Sequence, residues 1–164
     1  MKITVCDTPW KHWIIDDFLD ENLFYLIKET LTDFPKAEEN NRVHFFFDDH
    51  GCTTIHEKLR DRYLEFTNTL GEDFTRKTIK TEYLNVGKGF SYPTHRDAVC
   101  KIFTVVLYIS DFGSGTKIYS SETDFYKEVE WKPNRALGFY RSDDSWHSYY
   151  SNENDRTTIN IFSQ

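Results

Sequence analysis

Apolar residues recur at three- and four-residue steps in two stretches of the first half of the chain. Between Asp20 and Thr32 they are Leu23, Phe24, Ile27 and Leu31. This spacing lines one face of a 3.6-residue helix, and Asp20 stands where a side chain caps the first turn. Between Glu57 and Leu70 the residues Leu59, Tyr63, Phe66 and Leu70 repeat the pattern, and Gly71 supplies a stop. Beyond Gly71 the period becomes that of extended chain. Short runs of β-branched and aromatic residues predict strands over 78–86, 101–110, 116–119, 136–141 and 156–162. Turn-forming sequences separate them at 87–89, 111–115 and 151–155. The adjacent Phe45, Phe46 and Phe47 read as a buried edge strand, with an aromatic wall for substrate as the second reading. Helices first and strands after predict an α+β, mainly β fold, in which about residues 1–71 give helical support to a β core over about 72–164.

Composition narrows the class. A length of 164 residues with four scattered prolines and no repeat or linker suits one domain. Aromatic residues make up 17% of the chain, so disorder is excluded as its main state. A formal net charge of −7 makes a nucleic-acid partner an unattractive expectation. Cys6, Cys52 and Cys100 are odd in number and lack a C-x-x-C spacing, which speaks against a disulfide framework and for a reducing compartment. No apolar run reaches 18 residues, and the start of the chain breaks its apolar pattern at Asp7 and Lys11. A cytoplasmic protein with neither leader nor membrane contact is therefore expected.

Six histidines are the natural place to look for chemistry, since imidazole is the commonest transition-metal ligand. His95-Arg96-Asp97 is the one His-x-acid tripeptide, but chance alone supplies about one in a chain of this composition. Its context carries more. If the chain is extended from His95, residues i and i+2 share a face, so His95 and Asp97 can chelate one ion. His147, after the predicted strand 136–141 and a short polar turn, is the candidate third ligand. Two imidazoles and one carboxylate on one face of a metal form the triad of non-haem iron(II) oxygenases. In the last strand Arg156, Thr158 and Asn160 share a polar face. A guanidinium inside a β barrel calls for an anion, which a dicarboxylate co-substrate would supply. His50, Cys52 and His56 offer three soft ligands but no fourth at a finger-like spacing, so a solvated loop is the expectation there.

Taken jointly, Tyr92-Pro93-Thr94-His95-Arg96-Asp97, the run 105–111, Gly113-Ser114-Gly115-Thr116, Trp131-Lys132-Pro133, Ser145-Trp146-His147 and Arg156-Thr157-Thr158-Ile159-Asn160 resemble the iron(II)/2-oxoglutarate-dependent dioxygenases. The prolyl 4-hydroxylase-like branch is the nearest, and Trp13 to Leu19 also resembles its opening. The match runs over about residues 80–162 in order. The resemblance implies a double-stranded β-helix of jelly-roll, cupin-like type, with iron(II) on His95, Asp97 and His147. It places Arg156 on the far carboxylate of 2-oxoglutarate, with Tyr108 sharing that carboxylate, Thr158 assisting and Tyr92 lining the pocket. The cofactor set implied is Fe(II), 2-oxoglutarate and O2, with ascorbate as an optional accessory. The reaction implied is hydroxylation of an unactivated C–H bond in a peptidyl, prolyl-like or small-molecule substrate, with release of succinate and CO2. One departure stands out: Asn85 occupies the position, ten residues before His95, where several prolyl hydroxylases carry a tyrosine. A non-catalytic jelly-roll binding module and a nucleic-acid demethylase of the same superfamily are the alternatives.

Overall fold

Two antiparallel sheets face one another in the computed structural model, which describes residues 1–164. The chain opens with strands β1 (Lys2–Cys6) and β2 (His12–Asp16), then helix α1 (Glu21–Thr30), a 3-10 turn over Leu31–Asp33, strand β3 (Arg42–Phe46) and helix α2 (Thr53–Thr69). The remainder is all β: β4 (Ile79–Val86), β5 (Ser91–His95), β6 (Phe103–Tyr108), β7 (Thr116–Tyr119), β8 (Phe125–Val129), β9 (Ala136–Tyr140), β10 (His147–Tyr150) and β11 (Arg156–Ser163). The larger sheet has the order β1-β2-β9-β6-β11-β4-β3, and the smaller one β5-β10-β7-β8. Opposed sheets with crossovers of this kind make the double-stranded β-helix that the sequence resemblance implied.

Alternation along the strands of the large sheet divides its residues between two compartments. Phe103, Val105 and Leu107 of β6, Ile159 and Ile161 of β11, and Ile79 and Tyr83 of β4 point outward onto the helices. There they meet Phe24, Ile27, Leu59, Tyr63 and Phe66 in the main core. The residues between them in sequence point inward, toward the small sheet. Val106, Tyr108, Leu137 and Phe139 form a second apolar layer with Ile118 and Val129 of the small sheet. Asp20 caps α1 as expected, accepting from the Leu23 amide at 2.9 Å. Gly138 lies where α2 crosses the sheet, and a Cβ there would stand 3.2 Å from Phe103 and 3.4 Å from Phe66. Glycine is what admits the helix this closely.

Three strands fall inside the segment read as helical support. β1, β2 and β3 belong to the large sheet, so its β core is not confined to residues after 71. Each is five residues long, and β1 is an exposed edge strand with little apolar alternation to betray it. Of these only β3 was anticipated, from its phenylalanines, and β5, β8 and β10 were not. Pro93 interrupts the first, β8 mixes charged and aromatic positions on an edge, and the four-residue β10 follows a polar turn. Of the three phenylalanines, Phe47 is fully buried and Phe45 packs on Phe34 and Tyr83, which makes this segment core on one face of an edge strand.

Asn134 ties the two halves together. It adopts a left-handed backbone, φ 62°, in the turn before β9. Its side chain accepts from the Leu19 amide and donates to the Leu19 carbonyl, both at 2.9 Å. Asn134→Ala removes both buried bonds and places a Cβ-bearing residue without a compensating amide in that conformation. A loss of about 2–4 kcal/mol is expected in denaturant unfolding, and Asn134→Gly, which relieves only the backbone, should recover less than half of it.

Candidate active site

His95, Asp97 and His147 converge at the mouth of the barrel between the sheets. One ligand atom from each lies within 4.8 Å of the others, and the two imidazole centroids are 4.3 Å apart. The convergence is built by strand pairing, since β5 and β10 are antiparallel with His95 directly opposite His147. Asp97 arrives differently from the sequence expectation. Strand β5 ends at His95, so Asp97 stands in the following loop and not on an extended i, i+2 face. Two neighbours bring it in: Thr104 Oγ1 donates to one carboxylate oxygen at 2.6 Å, and Lys101 Nζ donates to the other at 3.2 Å.

The imidazoles are oriented as ligands. Nδ1 of His95 lies 3.0 Å from the Pro93 carbonyl, and Nδ1 of His147 lies 2.9 Å from that of Ser145. A carbonyl only accepts, so each Nδ1 carries the proton and each Nε2 presents its lone pair. Burial and the neighbouring His147 push His95 down to about 4, and burial lowers His147 as well. Both rings are therefore neutral at pH 7, the state that binds a cation. For Asp97, burial raises the carboxyl but the Lys101 ammonium and His147 outweigh it, and the net shift is downward. A neutral pair of imidazoles and an ionised carboxylate open on one side form the donor set that suits iron(II).

These shifts have a consequence for stability. His12 is also lowered by burial, and its Nε2 is buried without a partner. An imidazole whose folded pKa lies below its unfolded value binds fewer protons when folded. Its contribution is thus fully present above about pH 6.5 and is lost as pH falls toward the folded value, near 4 for His95. The metal-free protein is expected to lose thermal midpoint steadily between pH 6.5 and 4, a slope that calorimetry across that range would show and that His12→Phe should reduce.

A cavity of about 400 Å³ opens beside the triad, walled by both sheets. Arg156 reaches it from the first position of β11 and is 1% exposed. Its Nε donates to the Ser114 carbonyl at 3.0 Å and its Nη2 to Thr116 Oγ1 at 3.1 Å. Neither partner is charged, and burial lowers the pKa of the group. A fully buried guanidinium without a carboxylate partner is costly unless an anion enters the cavity to meet it. One strand repeat onward, Thr158 Oγ1 is buried with no hydrogen-bond partner at all. The residues present thus fit both a divalent cation and a dicarboxylate.

Other residues singled out in the sequence fall in varied places. Tyr92 lines the cavity, its ring edge-on to His95 at 4.7 Å and stacked on Tyr149 at 5.0 Å. Tyr108 stands behind the wall: it stacks on Trp131 at 4.5 Å, and its hydroxyl donates to Thr116 Oγ1 at 2.9 Å, the atom that also receives Arg156. Asn85 is turned to the helix side of β4, where it accepts from the Ala37 amide and donates to Thr157 Oγ1 at 2.9 Å. His50, Cys52 and His56 do not assemble; His56 bonds Thr81 and His50 stacks on Phe45. Arg42, Tyr149, Lys101, Thr104 and Thr116 were missed. Arg42, Tyr149, Thr104 and Thr116 matter through partners on other strands or loops and Lys101 through a loop contact to Asp97, and none of these pairings leaves a periodicity to read.

Solved structures with this fold are numerous. A viral collagen prolyl hydroxylase from Paramecium bursaria Chlorella virus 1, solved as a 2-oxoglutarate complex, superposes with a TM-score of 0.71 at 14% identity, covering 98% of each chain. A 2OG-Fe(II) oxygenase family protein from Burkholderia pseudomallei gives 0.72 at 13% identity over 93% of this chain and 84% of its own. A Trichoplax adhaerens prolyl hydroxylase, in complex with a hypoxia-inducible-factor peptide fragment, gives 0.67 at 18% identity over 93% and 82%. No family model and no curated protein matches the sequence. The chain therefore has the fold of the 2-oxoglutarate and iron(II) oxygenases. Within that class its structural relatives include prolyl hydroxylases that match it over nearly the whole chain. No helix is long and apolar enough to cross a membrane.

Proposed function

We propose that the protein is an iron(II)- and 2-oxoglutarate-dependent oxygenase that hydroxylates an unactivated C–H bond of a peptidyl, prolyl-like or small-molecule substrate, releasing succinate and CO2. One observation carries the reading: three metal-ligand atoms within 4.8 Å of one another share a cavity with a buried guanidinium that has no anionic partner. The metal, when bound with 2-oxoglutarate and O2, supplies the oxidising chemistry.

The chain's own residues bind, orient and shield. His95 and His147 hold their Nε2 lone pairs toward the ion because Pro93 and Ser145 fix the opposite nitrogens. Asp97 adds a negative charge, which Thr104 and Lys101 keep in place. Arg156 receives the far carboxylate of 2-oxoglutarate. Thr116 sets its angle and Tyr108 supports Thr116 from behind, so Tyr108 acts as a positioning residue. Thr158 supplies a hydroxyl beside Arg156, and Tyr92 walls the cavity next to His95. Phe139, 4.9 Å from the His147 ring, and Val106 give the cavity an apolar floor that limits water.

The test is succinate release. Purified protein with ferrous iron, ascorbate and 2-oxoglutarate in air is expected to decarboxylate the co-substrate slowly without any substrate, and faster once one is found. A jelly-roll binding module would release no succinate under these conditions, and that result would end the proposal.

A further inference from the structure

The sheet face that brings Arg156 to the cavity carries a second arginine, Arg42. Strand pairing sets Arg156 of β11 across from Val86 of β4, and Val86 across from Arg42 of β3, so the two arginines share one row and one face of the large sheet. Neighbouring strands are about 4.8 Å apart, which separates the two backbones by about 10 Å. Tyr149 stands between the two cations. Its hydroxyl accepts from Arg42 Nη1 at 2.7 Å, and its ring lies 5.0 Å from the Arg156 guanidinium.

Arg42 is held but not neutralised. Its guanidinium lies 4.4 Å over the Tyr92 ring, and its one side-chain hydrogen bond goes to the Tyr149 phenol. No carboxylate is paired with it, whereas Lys101 and Arg96, which also line the cavity, are bridged to Asp97 and Asp143. Tyr92 in turn is 4.7 Å from the His95 ring. These two contacts put the free guanidinium within about 9 Å of a metal ligand. Four basic side chains but only two acidic ones line the cavity, in a chain whose net charge is −7. A divalent cation and a dicarboxylate dianion would cancel, so the basic excess persists after both are bound. Charge of this sign, concentrated in a cleft of an acidic protein, selects for an anion.

We infer that Arg42 is the substrate-selecting residue, and that the substrate presents a carboxylate which its guanidinium receives. The inference rests on the function proposed above and gives that site a substrate class. Tyr149 and Tyr92 act as its mount: one fixes Nη1, the other supports the plane, and the remaining N–H groups have no protein partner and are left for a carboxylate, whose geometry a guanidinium matches. The C–H bond to be oxidised then lies between that anchor and the metal, at a span of several carbon atoms. The carboxylate can belong to a free amino acid or to an acidic residue of a peptide.

Binding is measured by ligand-observed NMR on zinc-loaded protein at saturating 2-oxoglutarate, which keeps the metal redox-inert and Arg156 occupied. The probes are a panel of free α-amino acids and a panel of end-blocked peptides with one acidic residue, each beside its neutral carboxamide. At least one carboxylate is expected to bind ten-fold or more tightly than its amide. Arg42→Gln should erase that preference, and Arg42→Lys should restore part of it. The panel that binds identifies the source. Equal binding of acid and amide, no binding by either panel, or a loss in Arg42→Gln that falls as heavily on 2-oxoglutarate would each overturn the inference. Succinate release by the unmodified protein, run in parallel, reports separately on the oxygenase reading: its absence alongside Arg42-dependent carboxylate binding would sink that reading and leave the recognition standing.

Discussion

Asp97→Ala is expected to reduce iron-dependent succinate release to background and to weaken divalent-metal binding by at least a hundred-fold. Asp97 supplies the only anionic donor among the three ligands, and its carboxylate is almost enclosed, with 9% of the side chain exposed. Without it a dication faces two neutral imidazoles and the Lys101 ammonium, which is then released toward the ion. The effect should grade with distance from the metal. Thr104→Val leaves the ligand in place but removes the 2.6 Å hydrogen bond that aims it, and losses from such outer contacts run at about ten- to a hundred-fold in metal affinity. Titration with cobalt or manganese would rank the two variants without any substrate. Wild-type metal affinity in Asp97→Ala would remove the basis for the centre.

Arg156→Met should raise the concentration of 2-oxoglutarate needed for half-maximal succinate release by about a hundred-fold or more. Charge-assisted hydrogen bonds contribute about 1.5–3 kcal/mol each, and a bidentate carboxylate contact uses two of them. Each factor of ten corresponds to about 1.4 kcal/mol. The same substitution should leave the thermal midpoint of the ligand-free protein level or higher. Arg156 is a buried charge without an ionic partner, and replacing such a group by an apolar one of similar length is frequently neutral or stabilising. Weakened co-substrate binding together with undiminished stability is the signature of a residue kept for its ligand. A fall in midpoint with an unchanged 2-oxoglutarate requirement would instead make Arg156 a structural residue, serving the Ser114 and Thr116 turn.

Both helices and five of the eleven strands were legible in the chain's own pattern, and the phenylalanine run 45–47 also marked the edge strand β3. In α1 the 3.6-residue spacing and the Asp20 cap are local properties, and the helix begins one residue after the cap. Strands such as β4 and β11 run eight residues, and the density of β-branched and aromatic residues along them is what marks them. The short edge strands failed for the opposite reason. In β1 and β8 most side chains remain wet, and hydrogen bonds to a neighbour decide their conformation. The candidate ligands were identifiable because His95, Asp97, His147 and Arg156 each stand beside a distinctive strand or turn. His95, Asp97 and His147 do meet in space, but Asp97 reaches them from a loop and not from the extended segment the sequence reading used.

Residue types, periodicity and the family resemblance together nominated the side chains with the chemistry to hold a metal and an anion, and marked both helices and the longer strands. Only the tertiary structure decided that His95 faces His147 across a strand pair, that Thr104 and Lys101 hold Asp97 in place, and that Arg42 stands unpaired in the same row as Arg156. The reason is range. Helix spacing and turn chemistry act over a few residues and are written locally, whereas sheet register brings together His95 and His147, or Arg42 and Arg156, from 50 to more than 100 residues apart, and the loop that carries Asp97 takes its course only once β5 and β6 are placed. Those contacts exist only after the two faces of the large sheet have been buried.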